Sequence, residues 1–166
     1  MGLLHELYGE AALERSDLAP VRAFSLHEMA ALRTMFARRL NTPWCCSVGR
    51  LFDVVASLLG LRQRMRFEGQ AAMELEFATA AGNTDAAYEV SLNEATMPAQ
   101  LDWARMIEGI LADRASGREV WEIATKFHNT LVEAIILVAR KTGCVRVALS
   151  GGCFQNRYLT ERAVRR

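Results

Sequence analysis

No two cysteines in this sequence stand in C-x-x-C spacing, and no histidine lies three or four residues from another. The four cysteines are Cys45, Cys46, Cys144 and Cys153, the first two adjacent; the histidines are His5, His27 and His128. A zinc knuckle and a secreted disulfide framework are therefore excluded. A metal site made by this chain alone is not expected either. Reduced, buried thiols are the expectation for the cysteines. Apolar runs are short, none near the ~20 residues that a membrane span needs. Charge of one sign is lacking too: 20 basic against 19 acidic residues leave a net charge of +1. Nothing global attracts nucleic acid or an anionic membrane. The N-terminus carries acidic residues early and has no signal-peptide layout, so a cytoplasmic location is the expectation.

What is present is a folded composition. Half of the 166 residues are apolar, with 3 prolines and 11 scattered glycines. That is one domain's length with enough apolar surface for a core. Leu4, Leu7, Tyr8, Ala11 and Ala12 fall at helical spacing. Ser25 and Glu28 form a capping-box pattern before a helix with Met29, Leu32, Phe36 and Leu40 on one face. Asn41-Thr42-Pro43 ends it. A third helix runs from about Ser47 to Leu59, with Leu51, Val55, Leu58 and Leu59 as its buried stripe. A fourth runs through Ala71, Ala72 and Leu75 to about Ala80. Leu101, Trp103, Met106, Ile107 and Ile110 predict a helix after Pro98. The longest spans about Glu119 to Thr142, with Trp121, Ala124, His128, Leu131, Ile135 and Val138 on one face.

Two short strands are expected, Tyr88–Leu92 and Val145–Leu149. The fold class is thus mainly α with a small β component, read as a single domain over 1–166. An isolated strand needs sheet neighbours for its backbone. The shortage of them suggests a fragment of a larger protein, or a chain that assembles with something.

The second of these strands runs into Ser150-Gly151-Gly152 and then a helix beginning near Phe154. Strand, double glycine and helix let backbone N–H groups and a helix N-terminus approach a phosphate. A Cβ would obstruct both the turn and the approach. The bland alternative is a plain βα turn. On the third helix, a rotation of about 100° per residue sets Asp53 roughly opposite Leu51, Val55 and Leu58. Gly49, Ser57 and Gly60 share its face. A carboxylate among small neighbours is an accessible acceptor, and a ribose hydroxyl pair is one suitable partner. A solvated surface aspartate is the alternative. Arg62, Arg64 and Arg66 face a phosphate, a partner or solvent. His128 lies on an apolar stripe and reads as a core histidine.

Three segments, CCSVGRLFDVVASLLGL (45–61), RFEGQAAMELE (66–76) and VALSGGCFQNRYL (147–159), together resemble the C-terminal part of the hydrogenase maturation carbamoyltransferases, the HypF family. The resemblance implies a partial lobe of an actin/sugar-kinase-like (ASKHA) α/β fold, similar to the tRNA threonylcarbamoyl-adenosine synthases. It implies an enzyme that uses carbamoyl phosphate and ATP to form a carbamoyl-adenylate. The carbamoyl group passes to the C-terminal cysteine of a partner maturation protein and ends as a cyanide ligand of nickel–iron hydrogenase. Carried over by motif, Asp53 of GRLFD matches the aspartate that holds ribose hydroxyls. Gly69 of FEGQ matches a glycine near the nucleotide, with Glu68 beside it. Gly151, Gly152 and Asn156 of SGGCFQN match the segment around the adenosine and phosphates.

The family's metal-binding histidine motif and later aspartate are not in this sequence, nor are its acylphosphatase-like, zinc-finger and carbamoyl-adenylate-forming regions. The resemblance therefore implies no catalytic and no metal-ligating residue here, and a chain inactive without the remaining domains of its parent. A non-catalytic helical docking or dimerisation module that keeps the family core is the other reading.

Overall fold

The computed structural model describes residues 1–166, which form a mostly helical chain with one two-stranded sheet. No helix is long and apolar enough to cross a membrane. The chain divides into two compact units, Met1–Ala71 and Ala72–Arg166.

The first unit contains α1 (Gly2–Tyr8), a 3-10 turn over Gly9–Glu14, α2 (Ala19–Arg22), α3 (Leu26–Arg38) and α4 (Val48–Leu58). Pro20 sits in the first turn of α2, where its missing N–H costs nothing. The capping box before α3 forms as the sequence predicts: Ser25 Oγ accepts from the Glu28 N–H at 3.3 Å, and a Glu28 oxygen accepts from the Ser25 N–H at 2.7 Å. Arg39 closes α3 in the left-handed region at φ 52°. Ser47 caps α4, and Phe52, Val55, Ala56 and Leu58 bury its inner face. Phe52 takes the central place that the pattern assigned to Leu51, which is half-buried. The α3 stripe differs more: Met29, Leu32 and Phe36 are only half-buried and Leu40 is exposed. One edge is covered by the ring of His5, stacked 4.4 Å from Phe36.

The division between the units falls inside α5 (Gln70–Ala78). The second unit continues through a 3-10 turn at Thr79–Ala81, β1 (Ser91–Asn93), β2 (Gln100–Asp102), α6 (Ala104–Ala115), α7 (Val120–Thr142) and α8 (Arg157–Arg165). Its core is Met106, Ile107 and Ile110 of α6 against Ile123, Ala124, Phe127 and Val132 of α7, with Leu159 of α8. Lys126, Tyr88 and Asp113 lock the loop before β1 to both long helices. The Tyr88 hydroxyl donates to Asp113 at 2.8 Å, Lys126 donates to the same carboxylate, and its ammonium lies 4.2 Å from the Tyr88 ring centre. Thr130 Oγ1 accepts from the Tyr88 N–H at 2.8 Å.

Three expectations need correction. The strand expected over Tyr88–Leu92 is displaced to Ser91–Asn93, pairing antiparallel with Ser91 opposite Asp102. The residues before it are drawn instead into the Tyr88 and Asn129 contacts. Leu101 lies in β2, not in the following helix, because Asp102 accepts from the Ala104 N–H at 2.9 Å and starts α6 there. Val145–Leu149 is no strand: Val145 is 98% exposed and Val147 52%, and the three-residue β1–β2 ladder is the chain's whole sheet. The cysteines also depart from expectation, since Cys45, Cys46 and Cys144 are exposed and only Cys153 is partly covered.

Candidate functional site

Asp53 projects from the middle of α4, where the helical stripe turns Phe52, Val55 and Leu58 inward. Its side chain keeps 23% of its exposure, and Arg50 one turn back places a guanidinium nitrogen 3.3 Å from the carboxylate. Asp53 lines a cavity of about 500 Å³ within the first unit. That volume is in the range of small-molecule sites. Phe24, Leu58 and Met65 give the cavity apolar walls, and Glu28, Ser57, Arg62, Gln63 and Arg64 give it polar ones.

The polar wall is organised from within. Ser57 donates to Gln63 Oε1 at 2.6 Å, and Gln63 Nε2 donates back to the Ser57 carbonyl at 2.8 Å. The residues that follow α4 are thereby folded against its last turn. Hydrogen bonds from the Ser25 N–H and hydroxyl, with Arg64 nearby, hold the Glu28 carboxyl below its ordinary pKa. Gly69, in the same unit, sits just before α5 at φ +80°. Its left-handed backbone explains the glycine of FEGQ on conformational grounds alone.

Gly151, Gly152 and Asn156 lie in the second unit, on the turn that leads into α8. Gly151 has φ +103°, a conformation that other residues resist, whereas Gly152 is not left-handed. A Cβ at either position meets nothing within 4 Å, so the space beside the turn is open. The expected obstruction by a Cβ therefore applies to the backbone at Gly151 and not to packing at either glycine.

The N-terminus of α8 is fully used inside the protein. Asn156 Oδ1 accepts from the Leu159 N–H at 2.8 Å. Glu76 Oε1 accepts from the N–H groups of Arg157 and Tyr158 at 2.7 and 3.2 Å. These are the donors that a helix leaves unpaired at its start. A phosphate at this turn would meet the glycine backbone and not the α8 terminus. The Asn156 amide nitrogen is spent on His128 Nε2 at 2.9 Å, leaving Asn156 8% exposed.

His128 is a core histidine, as the α7 stripe predicts. It is fully buried, and its Nδ1 lies 2.7 Å from the Ala124 carbonyl. That carbonyl can only accept, so Nδ1 carries the proton and Nε2 receives the Asn156 amide. Burial lowers the His128 pKa to about 4 against the opposing pull of the Ala124 carbonyl. Tyr158, edge-on to the imidazole, donates to Asn129 Oδ1 at 3.0 Å. Asn129 in turn donates to the carbonyls of Thr84 and Ala86. Sequence reasoning missed Glu76, Asn129 and Tyr158 as the frame of this turn. The FEGQAAMELE run contained Glu76, but its target lies 81 residues away in the chain.

No group of three or more histidine, cysteine, aspartate or glutamate side chains is placed to hold a metal ion. Burial pushes the Cys153 thiol up, away from the thiolate that nucleophilic chemistry requires.

A family model described as "Carbamoyltransferase, Kae1-like Domain, second subdomain" matches residues 1–166. The chain is 43% identical over 122 residues to the carbamoyltransferase HypF of Synechocystis sp., covering 74% of this chain and 16% of that protein. It is 35% identical over 159 residues to HypF of Rhizobium leguminosarum bv. viciae, covering 91% of this chain and 20% of that protein. A crystal structure of full-length HypF in its phosphate- and nucleotide-bound form superposes with a TM-score of 0.83 at 33% identity, over 99% of this chain and 26% of the other. The chain thus spans about a fifth of the curated relatives it matches and a quarter of the solved structure.

Proposed function

We propose, for a chain that belongs to the HypF carbamoyltransferase family, that its role is to supply part of an adenine-nucleotide site to a carbamoyl-transfer enzyme of actin/sugar-kinase-like architecture. The whole reaction takes carbamoyl phosphate and ATP through a carbamoyl-adenylate. Its acceptor is the C-terminal cysteine of a hydrogenase maturation partner, and the setting is cytoplasmic. The observation that carries this reading is Asp53 on the wall of the first unit's cavity of about 500 Å³.

The residues fit a nucleoside. A carboxylate is an acceptor-only group that suits paired ribose hydroxyls. The Phe24 and Met65 walls suit a flat base, and Arg62 and Arg64 supply positive charge. The single Arg50 contact leaves most of the Asp53 lone pairs for a ligand. In the second unit, the open side of the Gly151–Gly152 turn presents backbone to an anion. Asn156 positions that turn by capping α8 and holding His128. Gly69 supports the same reading only through the backbone path into α5. ATP supplies the activating phosphoanhydride when bound; this chain's residues bind and orient.

Calorimetric titration of ADP and a non-hydrolysable ATP analogue tests the reading. Binding that Asp53→Ala weakens by ~1 kcal/mol or more, the scale of a lost hydrogen bond, supports it. Equal binding by wild type and Asp53→Ala refutes the assignment. No binding by a folded wild-type chain means that the site needs the remaining parts of the parent enzyme, or that the second reading, a docking module, holds. The observation on that side is the solvent-facing apolar segment at Val145 and Val147.

A further inference from the structure

We propose that Cys45 and Cys46 form a vicinal-dithiol site that captures one soft, thiophilic centre, of the class of Cu(I) or a trivalent arsenical. Both thiols are exposed, against the expectation of buried cysteines. Cys144 and Cys153 belong to the other compact unit. Residues 42–46 have no regular structure, and no backbone hydrogen bond ties them down. The segment is bounded by left-handed Arg39 and Asn41 on one side and by the Ser47 cap of α4 on the other.

Two adjacent sulfurs have few outlets. Neighbouring Cα atoms are about 3.8 Å apart across a trans peptide, below the roughly 4.4 Å minimum usual for a disulfide. A direct S–S bond is therefore strained, whereas an inserted metal or arsenic atom widens the ring and relieves the strain. Extended backbone turns successive side chains to opposite faces. Bidentate capture thus requires local rotation, which the untethered backbone permits. Paired thiolates select soft centres over hard ones. Capture of Cu(I) exchanges two S–H bonds for two S–Cu bonds and releases two protons, with no electron transferred. With phenylarsine oxide, the two thiol hydrogens and the oxide oxygen leave as one water and arsenic stays trivalent.

The test uses the reduced full 166-residue chain under anaerobic conditions. One arm titrates Cu(I) against a chromophoric chelator, and the other counts phenylarsine adducts by intact mass. The expected result is one Cu(I) and one arsenical per chain. Cys45→Ser and Cys46→Ser should each weaken both by at least tenfold, while Cys144→Ser and Cys153→Ser change neither. Wild-type chain that takes up neither probe overturns the proposal. So does uptake that survives in either Cys45→Ser or Cys46→Ser, or that is lost in Cys144→Ser or Cys153→Ser. Both cysteines are exposed and neither belongs to the buried core, so the serine variants are expected to fold, which circular dichroism of each variant checks.

Discussion

The Asn156 side-chain amide donates to His128 Nε2 at 2.9 Å, joining the turn after the double glycine to the buried centre of α7. The pair makes the glycine turn depend on a neutral histidine. Protonating Nε2 would turn the acceptor into a donor facing a donor.

A pH dependence follows. Burial lowers the His128 pKa from 6.5 to about 4. A depressed pKa on a base means that the unfolded state takes up its proton first as pH falls. This contribution to stability is complete above about pH 6.5 and declines as pH drops toward 4, by roughly 3 kcal/mol in all. Urea unfolding between pH 7.5 and 4.5 should show that decline, and His128→Gln should flatten it. A wild-type slope unchanged by the substitution would contradict the assignment.

Asn156→Ala removes the α8 cap, typically ~1 kcal/mol. It also leaves the His128 acceptor buried without that partner, about 1–3 kcal/mol more. The two losses share one residue, so chemical denaturation should show a destabilisation near 2–4 kcal/mol. Glu76→Gln keeps an acceptor for the Arg157 and Tyr158 N–H groups and should cost clearly less than Glu76→Ala.

The two glycines of the turn should behave differently. Gly151 sits at φ +103°, so Gly151→Ala should destabilise the chain by about 1 kcal/mol or more through backbone strain alone. Gly152→Ala, with open space and no left-handed backbone, should lie within ~0.5 kcal/mol of wild type. Thermal melts of the pair check this. If Gly152→Ala nonetheless abolishes nucleotide binding, the open side of the turn is where the ligand approaches.

Gly109 presents the opposite case. An added Cβ would lie 2.6 Å from Cδ1 of Tyr88. Tyr88 cannot yield, because its hydroxyl is held by Asp113 and its ring is covered by Lys126. Gly109→Ala should therefore cost about 1–3 kcal/mol, the scale of an overpacked core. Tyr88→Ala in the same background should recover part of the clash term, which a double-mutant cycle would measure.

The helices were legible because their signals are local. Ser25 with Glu28, the Ser47 cap, Gly143 after α7 and the i, i+4 stripe through Ala124 and His128 all act within one or two turns. Asp53 was legible for the same reason, as the polar side of an apolar stripe. What escaped was long-range. Val145–Leu149 has strand composition, but a strand exists only where an edge accepts it, and β1 and β2 offer three residues paired to each other. The cap that Glu76 supplies to α8, and the Asn129 bridge to Thr84 and Ala86, join residues tens of positions apart. No periodicity announces such pairs. Cys45 and Cys46 misled for a related reason: cysteine is buried on average, and only the path of the loop after α3 decides a given one.

Residues 144–150 carry a further consequence, one of solubility. An exposed, unpaired segment that carries Val145 and Val147 is a template on which a second copy can pair. Arg146, exposed between Val145 and Val147, places a positive charge in the middle of that run. Stacking two copies in register would bring the two guanidinium groups together, as gatekeeper charges do beside unavoidable apolar segments. Arg146 contributes nothing to the core, yet exchanging it for a neutral residue should lower the concentration at which the chain stays in solution, an outcome that light scattering would check.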